Sequence, residues 1–86
     1  MVLEIVTPDQ KVFQGEVTGV KVPGSKEKGS FEVLDNHAPI ISTLEAGTVR
    51  INSKDGYTYV DIDSGVIEVL HNKVVILAEA AKVRNA

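Results

Sequence analysis

The chain has 86 residues, of which 43% are hydrophobic and 24% are charged, and its formal net charge is −3. This length allows one small domain, and the composition excludes a disordered segment. The nine basic residues are scattered without an aromatic-lined stripe, so nucleic acid is not expected as a partner. The absence of cysteine excludes disulfides and a thiol nucleophile.

Short β-type runs separated by turn residues follow one another along the chain, a pattern typical of a sandwich or barrel. The predicted strands are residues 3–7, 11–22, 30–34, 40–44, 48–52, 57–62, 66–70 and 73–78. Within the long second run, Gly15 and Gly19 predict a bulge or a change of sheet. Residues 53–56 and 71–72 predict hairpin turns.

The end of the chain differs in pattern. Glu79 comes early and Lys82 and Arg84 come late, which is the charge order that a helix dipole favours. Because about eight residues are too few for a stable free helix, residues 79–86 predict either one docked helical turn or a fraying end.

Alternation within the runs also predicts which side chains form the core. The expected inward residues are Leu3, Ile5, Val20, Phe31, Val33, Val49, Ile51, Val69 and Ile76. The longest apolar run, residues 74–78, is far shorter than the roughly 20 residues that span a bilayer. We therefore expect no membrane insertion, and the start of the chain shows no secretory signal.

His37 is the best candidate for chemistry, because Glu32 and Asp35 lie near it in sequence. The three residues follow no recognised metal-ligand spacing, so a loop histidine hydrogen-bonded to backbone is the preferred interpretation. Asp61 and Asp63 are interpreted as a solvated strand end. There is no nucleophile elbow and no phosphate-binding glycine loop. These observations favour an interaction module over an enzyme, with no cofactor and no metal.

Several segments together resemble the N-terminal domain of ATP synthase epsilon subunits. They are residues 3–8 (LEIVTP), 12–17 (VFQGEV), 20–24 (VKVPG), 33–41 (VLDNHAPII), 44–51 (LEAGTVRI), 65–69 (GVIEV) and 75–78 (VILA). Each segment is a weak signal alone, but their joint order and spacing are specific. The resemblance covers residues 2 to 81.

The resemblance implies an all-β fold, a flattened antiparallel β-sandwich of about ten short strands. It also implies a non-catalytic rotor subunit that joins the gamma subunit to the c-ring on the cytoplasmic face of the bacterial inner membrane. Carried over by position, the gamma contact includes Thr7, His37 and Ser42. The c-ring contact includes Ser30, with the loop of residues 25–29 beside it.

Two departures from the family pattern qualify this comparison. The loop of residues 25–29 is about two residues longer than is common in the family, and Ser30 stands where many members carry a carboxylate. Many members also continue into a helical hairpin, which would begin in residues 79–86. With the sequence ending at Ala86, we expect a natural short form in which residues 1–86 are a single domain that does not bind ATP.

Two other functions are compatible with the residues. A free-standing β-sandwich that binds a small ligand would need an aromatic platform, for which Tyr57 and Tyr59 are the candidates. A small hydrolase built on His37 ranks last.

Overall fold

The computed structural model describes residues 1–84, and these residues form ten β-strands and no helix. The strands are β1 (Val2–Val6), β2 (Lys11–Glu16), β3 (Gly19–Val22), β4 (Phe31–Leu34), β5 (Ile40–Leu44), β6 (Gly47–Ser53), β7 (Gly56–Ile62), β8 (Gly65–Leu70), β9 (Lys73–Ala78) and β10 (Ala81–Arg84). The predicted all-β class is therefore confirmed, and every predicted run contains a strand.

The strands form two five-stranded sheets. Sheet A has the order β2-β1-β9-β8-β5, and sheet B has the order β10-β7-β6-β3-β4. Neighbouring strands are antiparallel except for β1 and β9, which run parallel at the centre of sheet A. The principal extents of 30 × 27 × 21 Å give the flattened shape that was expected.

Consecutive strands run in opposite directions, so the connections collect at two ends of the sandwich. At one end, here called the Pro23 end, the backbone amide of Glu45 donates to the carbonyl of Pro23 at 3.1 Å. At the opposite end, here called the Asn36 end, the Asn36 amide donates to the side chain of Asn72 at 2.9 Å. Each end therefore brings loops that are distant in sequence into one surface.

The core lies between the two sheets and consists almost entirely of aliphatic side chains. Eight of the nine predicted inward residues are buried, and Phe31 is half-buried against the core. Ile76 is fully buried in β9, opposite Ile5 on one side and Ile67 on the other. β-branched residues suit these positions because they pack well on a pleated surface.

The long second run does change sheets, because β2 belongs to sheet A and β3 to sheet B. The irregularity in β2 is at Val12 and not at Gly15: Ile5 is opposite Phe13, whereas Val6 is opposite Lys11. Gly15 lies in regular register opposite Leu3. The glycine therefore does not mark the bulge.

The prediction of a helical turn or a fraying end after residue 79 is wrong for residues 81–84. These residues form β10, which pairs antiparallel with β7 at the edge of sheet B. Arg84 donates to the carboxylate of Asp61 across this pair. Pairing with β7 thus outweighs the local charge order of these residues, which would favour a helix. Asn85 and Ala86, also included in that prediction, lie outside the described residues.

Two turns adopt the backbone geometry that their residues favour. His71 and Asn72 both have positive φ, at 49° and 60°, as the two-residue β8–β9 hairpin requires. In the β3–β4 loop, Gly24 approaches Gly29 so closely that a Cβ on Gly24 would lie 2.0 Å from the Gly29 carbonyl oxygen. Only glycine fits there without moving the loop that precedes Ser30.

Candidate partner-binding surface

The outer face of sheet A is unusually apolar for a surface exposed to water. Its most exposed large side chains are Ile41 (74%), Leu77 (54%), Leu70 (45%) and Val66 (38%), from β5, β9 and β8. They lie on adjacent strands, since Val66 is opposite Leu77 and Ile41 is opposite Glu68. An antiparallel sheet that faces water normally alternates polar side chains outward, so this face has the character of an unpartnered contact surface.

Charged residues accompany this apolar face. Glu4 on β1 lies between Lys11 (3.6 Å) and Lys73 (3.4 Å). Glu68 on β8 is opposite Ile41 on one side and Val75 on the other. The combination of exposed aliphatic residues with a few charges resembles the anatomy of a protein interface.

Thr7 lines a groove of about 590 Å³ at the Pro23 end of sheet A. The same groove is lined by Pro8, Leu44, Val66 and Leu77, so it is continuous with the apolar face. The Thr7 hydroxyl is 3.3 Å from the Gln10 carbonyl oxygen and accepts from the Gln10 amide at 3.3 Å. The first predicted contact residue therefore lies in a defined turn beside this face.

Ser42 lies on β5, the strand at the free edge of sheet A. It is half-buried, and its hydroxyl donates to the Thr43 carbonyl at 3.2 Å. With Lys28, Phe31 and Ile40 it lines a hollow of about 230 Å³ at this edge. Ser42 thus belongs to the edge that adjoins the apolar face rather than to the face itself.

His37 lies in the β4–β5 connection at the Asn36 end and is exposed. Its Nδ1 is 2.7 Å from the carbonyl oxygen of Ala38, which is the backbone contact that the sequence favoured. Glu32 instead accepts from Arg50 at 3.1 Å, and Asp35 accepts from the amino group of Met1 at 2.8 Å. The three residues considered as a metal or base site therefore have separate partners.

Ser30 is exposed at the Pro23 end, in the connection that leads into β4. The preceding loop is ordered by its own hydrogen bonds, because the Gly29 amide donates to the Ser25 carbonyl at 2.8 Å and the Lys28 amide donates to the Ser25 hydroxyl at 3.1 Å. Ser30 is thus presented on an end of the sandwich, away from the outer face of sheet A.

The outer face of sheet B carries polar and charged side chains that bind one another, together with the exposed Leu34. The Arg50 guanidinium lies 4.8 Å from the ring centre of Tyr57, and Arg84 lies 6.0 Å from that of Tyr59. The two tyrosine rings meet edge to face at a centroid separation of 6.5 Å. The aromatic platform that the ligand-binding alternative needs is therefore already engaged by arginines and by its own edge contact.

The three predicted gamma contacts do not form one cluster, but Thr7, Ser42 and His37 all belong to sheet A or its connections. Sequence reasoning missed the residues that give this surface its character, Ile41, Val66, Leu70 and Leu77. The sequence did contain a signal for this surface. A strand with one face in the core needs apolar residues only at alternate positions, whereas residues 74–78 are apolar at consecutive positions.

Among residues 1–84, no group of three or more His, Asp or Glu side chains is arranged to hold a metal ion. In the same part of the chain, no helix could cross a membrane.

Comparison with known proteins agrees with this architecture. Residues 1–84 match the family model described as ATP synthase, delta/epsilon chain, beta-sandwich domain. Similar curated proteins include the ATP synthase epsilon chains of Salinibacter ruber (36% identity, 95% of this chain and 60% of the relative) and Campylobacter curvus (46% identity, 92% and 60%). The chain thus spans about three fifths of the length of these relatives.

Solved structures share the fold at low identity. A chain in the Euglena gracilis mitochondrial ATP synthase, solved as OSCP/F1/c-ring, superimposes with a TM-score of 0.88 at 21% identity, over 96% of this chain and 52% of that one. A chain in the central stalk/c-ring structure of the Tetrahymena thermophila enzyme gives 0.78 at 12% identity, over 94% and 64%.

Proposed function

Because the chain belongs to the ATP synthase delta/epsilon chain family, we propose that it is a non-catalytic rotor subunit that joins the gamma subunit to the c-ring of a proton-translocating enzyme. In this role it makes and breaks no bond and needs no cofactor. Its partners are the two rotor components and not nucleic acid. Its place is peripheral, on the cytoplasmic face of a bacterial inner membrane, and residues 1–86 act as one β-sandwich domain.

The apolar outer face of sheet A carries this proposal. Large exposed aliphatic side chains on three adjacent strands lose contact with water when a partner covers them, at about 25 cal/mol per Å² of buried apolar area. A small domain of this kind, marginally stable alone, also gains stability from such a partner. We assign this face to gamma, because Thr7 and Ser42 lie at its margins.

The Pro23 end supplies the second contact. Ser30 lies in the connection between β3 and β4 of sheet B, so the part of the Pro23 end around it can meet a different partner from the one on the outer face of sheet A. Ser30 and residues 26–29 of the preceding loop are exposed there, and their polar character suits the polar loops of a c-ring. One rigid domain with two such surfaces can turn gamma and the ring as a single body.

The gamma contact is tested by two matched leucines. Leu77, on the outer face of sheet A, is 54% exposed, and Leu34, on β4 of sheet B, is 53% exposed. Leu77→Asp should weaken binding of purified gamma by roughly tenfold or more, since it leaves a charge in a desolvated contact. Leu34→Asp should change affinity less than about twofold. Equal effects of the two variants would refute the assignment of the face.

The ring contact is tested in the assembled complex by site-directed cross-linking. Ser30→Cys should cross-link to a cysteine placed in the polar loop of the c subunit. Lys54→Cys, at the Asn36 end, should not. Cross-linking from Lys54→Cys in preference to Ser30→Cys would reverse the proposed orientation.

A further inference from the structure

The four sheet edges differ in how they are protected. They are formed by β2 and β5 in sheet A and by β4 and β10 in sheet B. The strands β2, β4 and β10 carry charged residues: Lys11 and Glu16, Glu32, and Lys82 and Arg84. The fifth strand, IISTL, carries none.

An uncharged edge strand is a template for another strand. Edge strands present unpaired backbone amides and carbonyls, and natural proteins usually block them with charged residues, proline or a bulge. In its antiparallel ladder with β8, β5 turns the backbone groups of alternate residues toward the open side. Within residues 1–84, the one other hydrogen bond to a β5 backbone group comes from the Ser42 hydroxyl to the Thr43 carbonyl.

Two hollows lie along this edge. One of about 230 Å³ is lined by Lys28, Phe31, Ile40, Ile41 and Ser42. The other, of about 350 Å³, is lined by Pro39, Ile40, Ile41, Glu68, Val69 and Leu70. Both linings are mainly apolar, so the side chains of a strand added beside β5, which would project alternately to the two faces of the sheet, would have apolar hollows to enter.

We propose that β5 receives an extended, uncharged strand from the same partner subunit that covers the outer face of sheet A. This inference rests on the proposed function, with gamma as that partner. Main-chain hydrogen bonds would supply affinity, and the two hollows would select apolar side chains at alternate positions. Ile41, which is 74% exposed on the outer face of sheet A, lines both hollows, so the β5 edge is continuous with the face assigned to gamma.

Amide hydrogen exchange of the ¹⁵N-labelled domain, measured by NMR with and without gamma, tests this proposal. In the free domain, the β5 amides that point away from β8 should exchange quickly. In the complex, their exchange should slow by about 100-fold or more, as expected for new main-chain hydrogen bonds. The open-side amides of β2, the other edge of sheet A, should keep their rates.

The failures of the two proposals are distinguishable. If gamma perturbs the methyl signals of Leu77 and Val66 but leaves the β5 amides unprotected, strand addition is wrong and the proposed function stands. If gamma does not bind, both are wrong. Protection of β5 in the domain alone, rising with its concentration, would identify a second copy as the occupant and overturn the proposal.

A pair of lysine variants provides an independent measurement. Thr43 on β5 and Gln14 on β2 are both exposed residues of edge strands in sheet A. Thr43→Lys should weaken gamma binding by roughly tenfold or more, because a charged edge residue opposes strand pairing. Gln14→Lys should change it less than about twofold. Unchanged affinity in Thr43→Lys, with unprotected amides, would overturn strand addition.

Discussion

Arg84 on β10 and Asp61 on β7 join the last described strand to the rest of sheet B. The Arg84 Nε donates to Asp61 Oδ2 at 3.2 Å, and a terminal guanidinium nitrogen donates to Oδ1 of the same carboxylate. The Thr48 hydroxyl donates to Oδ1 at 2.7 Å. Arg84, followed by Thr48, lowers the pKa of Asp61 below its usual value of 3.8.

Removing this guanidinium should raise the pKa of Asp61. In the wild type, the carboxyl carbon signal of Asp61, followed by NMR against pH, should titrate with a midpoint below 3.8. In Arg84→Ala, the midpoint should move toward the ordinary value, because the largest hydrogen-bond donor is lost. Lys82→Ala is the matched control, since Lys82 is opposite Asp61 in the ladder but acts on it only through its charge.

The same pair makes stability depend on pH in a defined direction. A carboxyl whose pKa is lower in the folded than in the unfolded state stabilises the fold above the unfolded pKa, and this contribution is lost as pH falls through the folded pKa. The difference in melting temperature between wild type and Arg84→Ala should therefore be largest near pH 7. It should decrease as the pH falls below the pKa of Asp61 in the folded state. A difference that does not change with pH would contradict this role for Asp61.

Ile76 and Leu77 are adjacent residues of β9 that face opposite sides of sheet A. Ile76 is fully buried and Leu77 is 54% exposed. Ile76→Ala should lower the free energy of unfolding by about 2–5 kcal/mol, because it removes buried methyl groups and leaves a cavity. Leu77→Ala should lower it by less than about 1 kcal/mol. Urea denaturation of both variants gives the comparison, and a loss below about 1 kcal/mol for Ile76→Ala would contradict the assigned facing.

The strand pattern could be predicted because each run carries its own alternation and turn residues. His71 and Asn72, for example, tolerate the positive φ values that their hairpin uses. The parallel pairing of β1 with β9 could not be predicted, since it depends on contact between residues far apart in sequence. Strand β10 was missed for the same reason: its four residues become a strand only beside β7.

The apolar face itself was not predicted from the sequence, and the gamma contacts that the resemblance implies remain predictions. The resemblance selected Thr7, Ser42 and His37, and the structure places all three on sheet A or its connections. It did not select Ile41 or Leu77, because a strand buried on both faces gives the same continuous apolar run as a strand with one exposed apolar face. Only the sheet order separates these two cases, because no strand among residues 1–84 covers the outer side of sheet A.

The isolated domain should show no ATPase activity and no thermal shift with nucleotide. The sequence has no phosphate-binding glycine loop, and residues 1–84 contain no helix whose N-terminus could hold a phosphate. A ligand at 100 times its dissociation constant would stabilise the fold by about 2.7 kcal/mol, which a melt detects readily. A reproducible rise in melting temperature with millimolar ATP would contradict this expectation.

Ser42→Arg should separate binding from folding at the β5 edge. Ser42 is half-buried beside the hollow lined by Lys28, Phe31 and Ile40. An arginine there can extend outward from the edge strand, so the isolated domain should stay folded. Against gamma, however, the bulky charge would enter a contact that depends on shape and desolvation.

We therefore expect Ser42→Arg to weaken assembly with gamma by about tenfold or more. Lys54→Ala is the control, because Lys54 is exposed in the β6–β7 turn of sheet B and should affect neither binding nor melting. Pull-down of gamma and a thermal melt of each variant give the two measurements. If Ser42→Arg binds like the wild type, Ser42 does not belong to the gamma contact, whatever the family of the chain. If it binds poorly and also melts early, the loss of binding reflects unfolding, and the predicted separation is wrong.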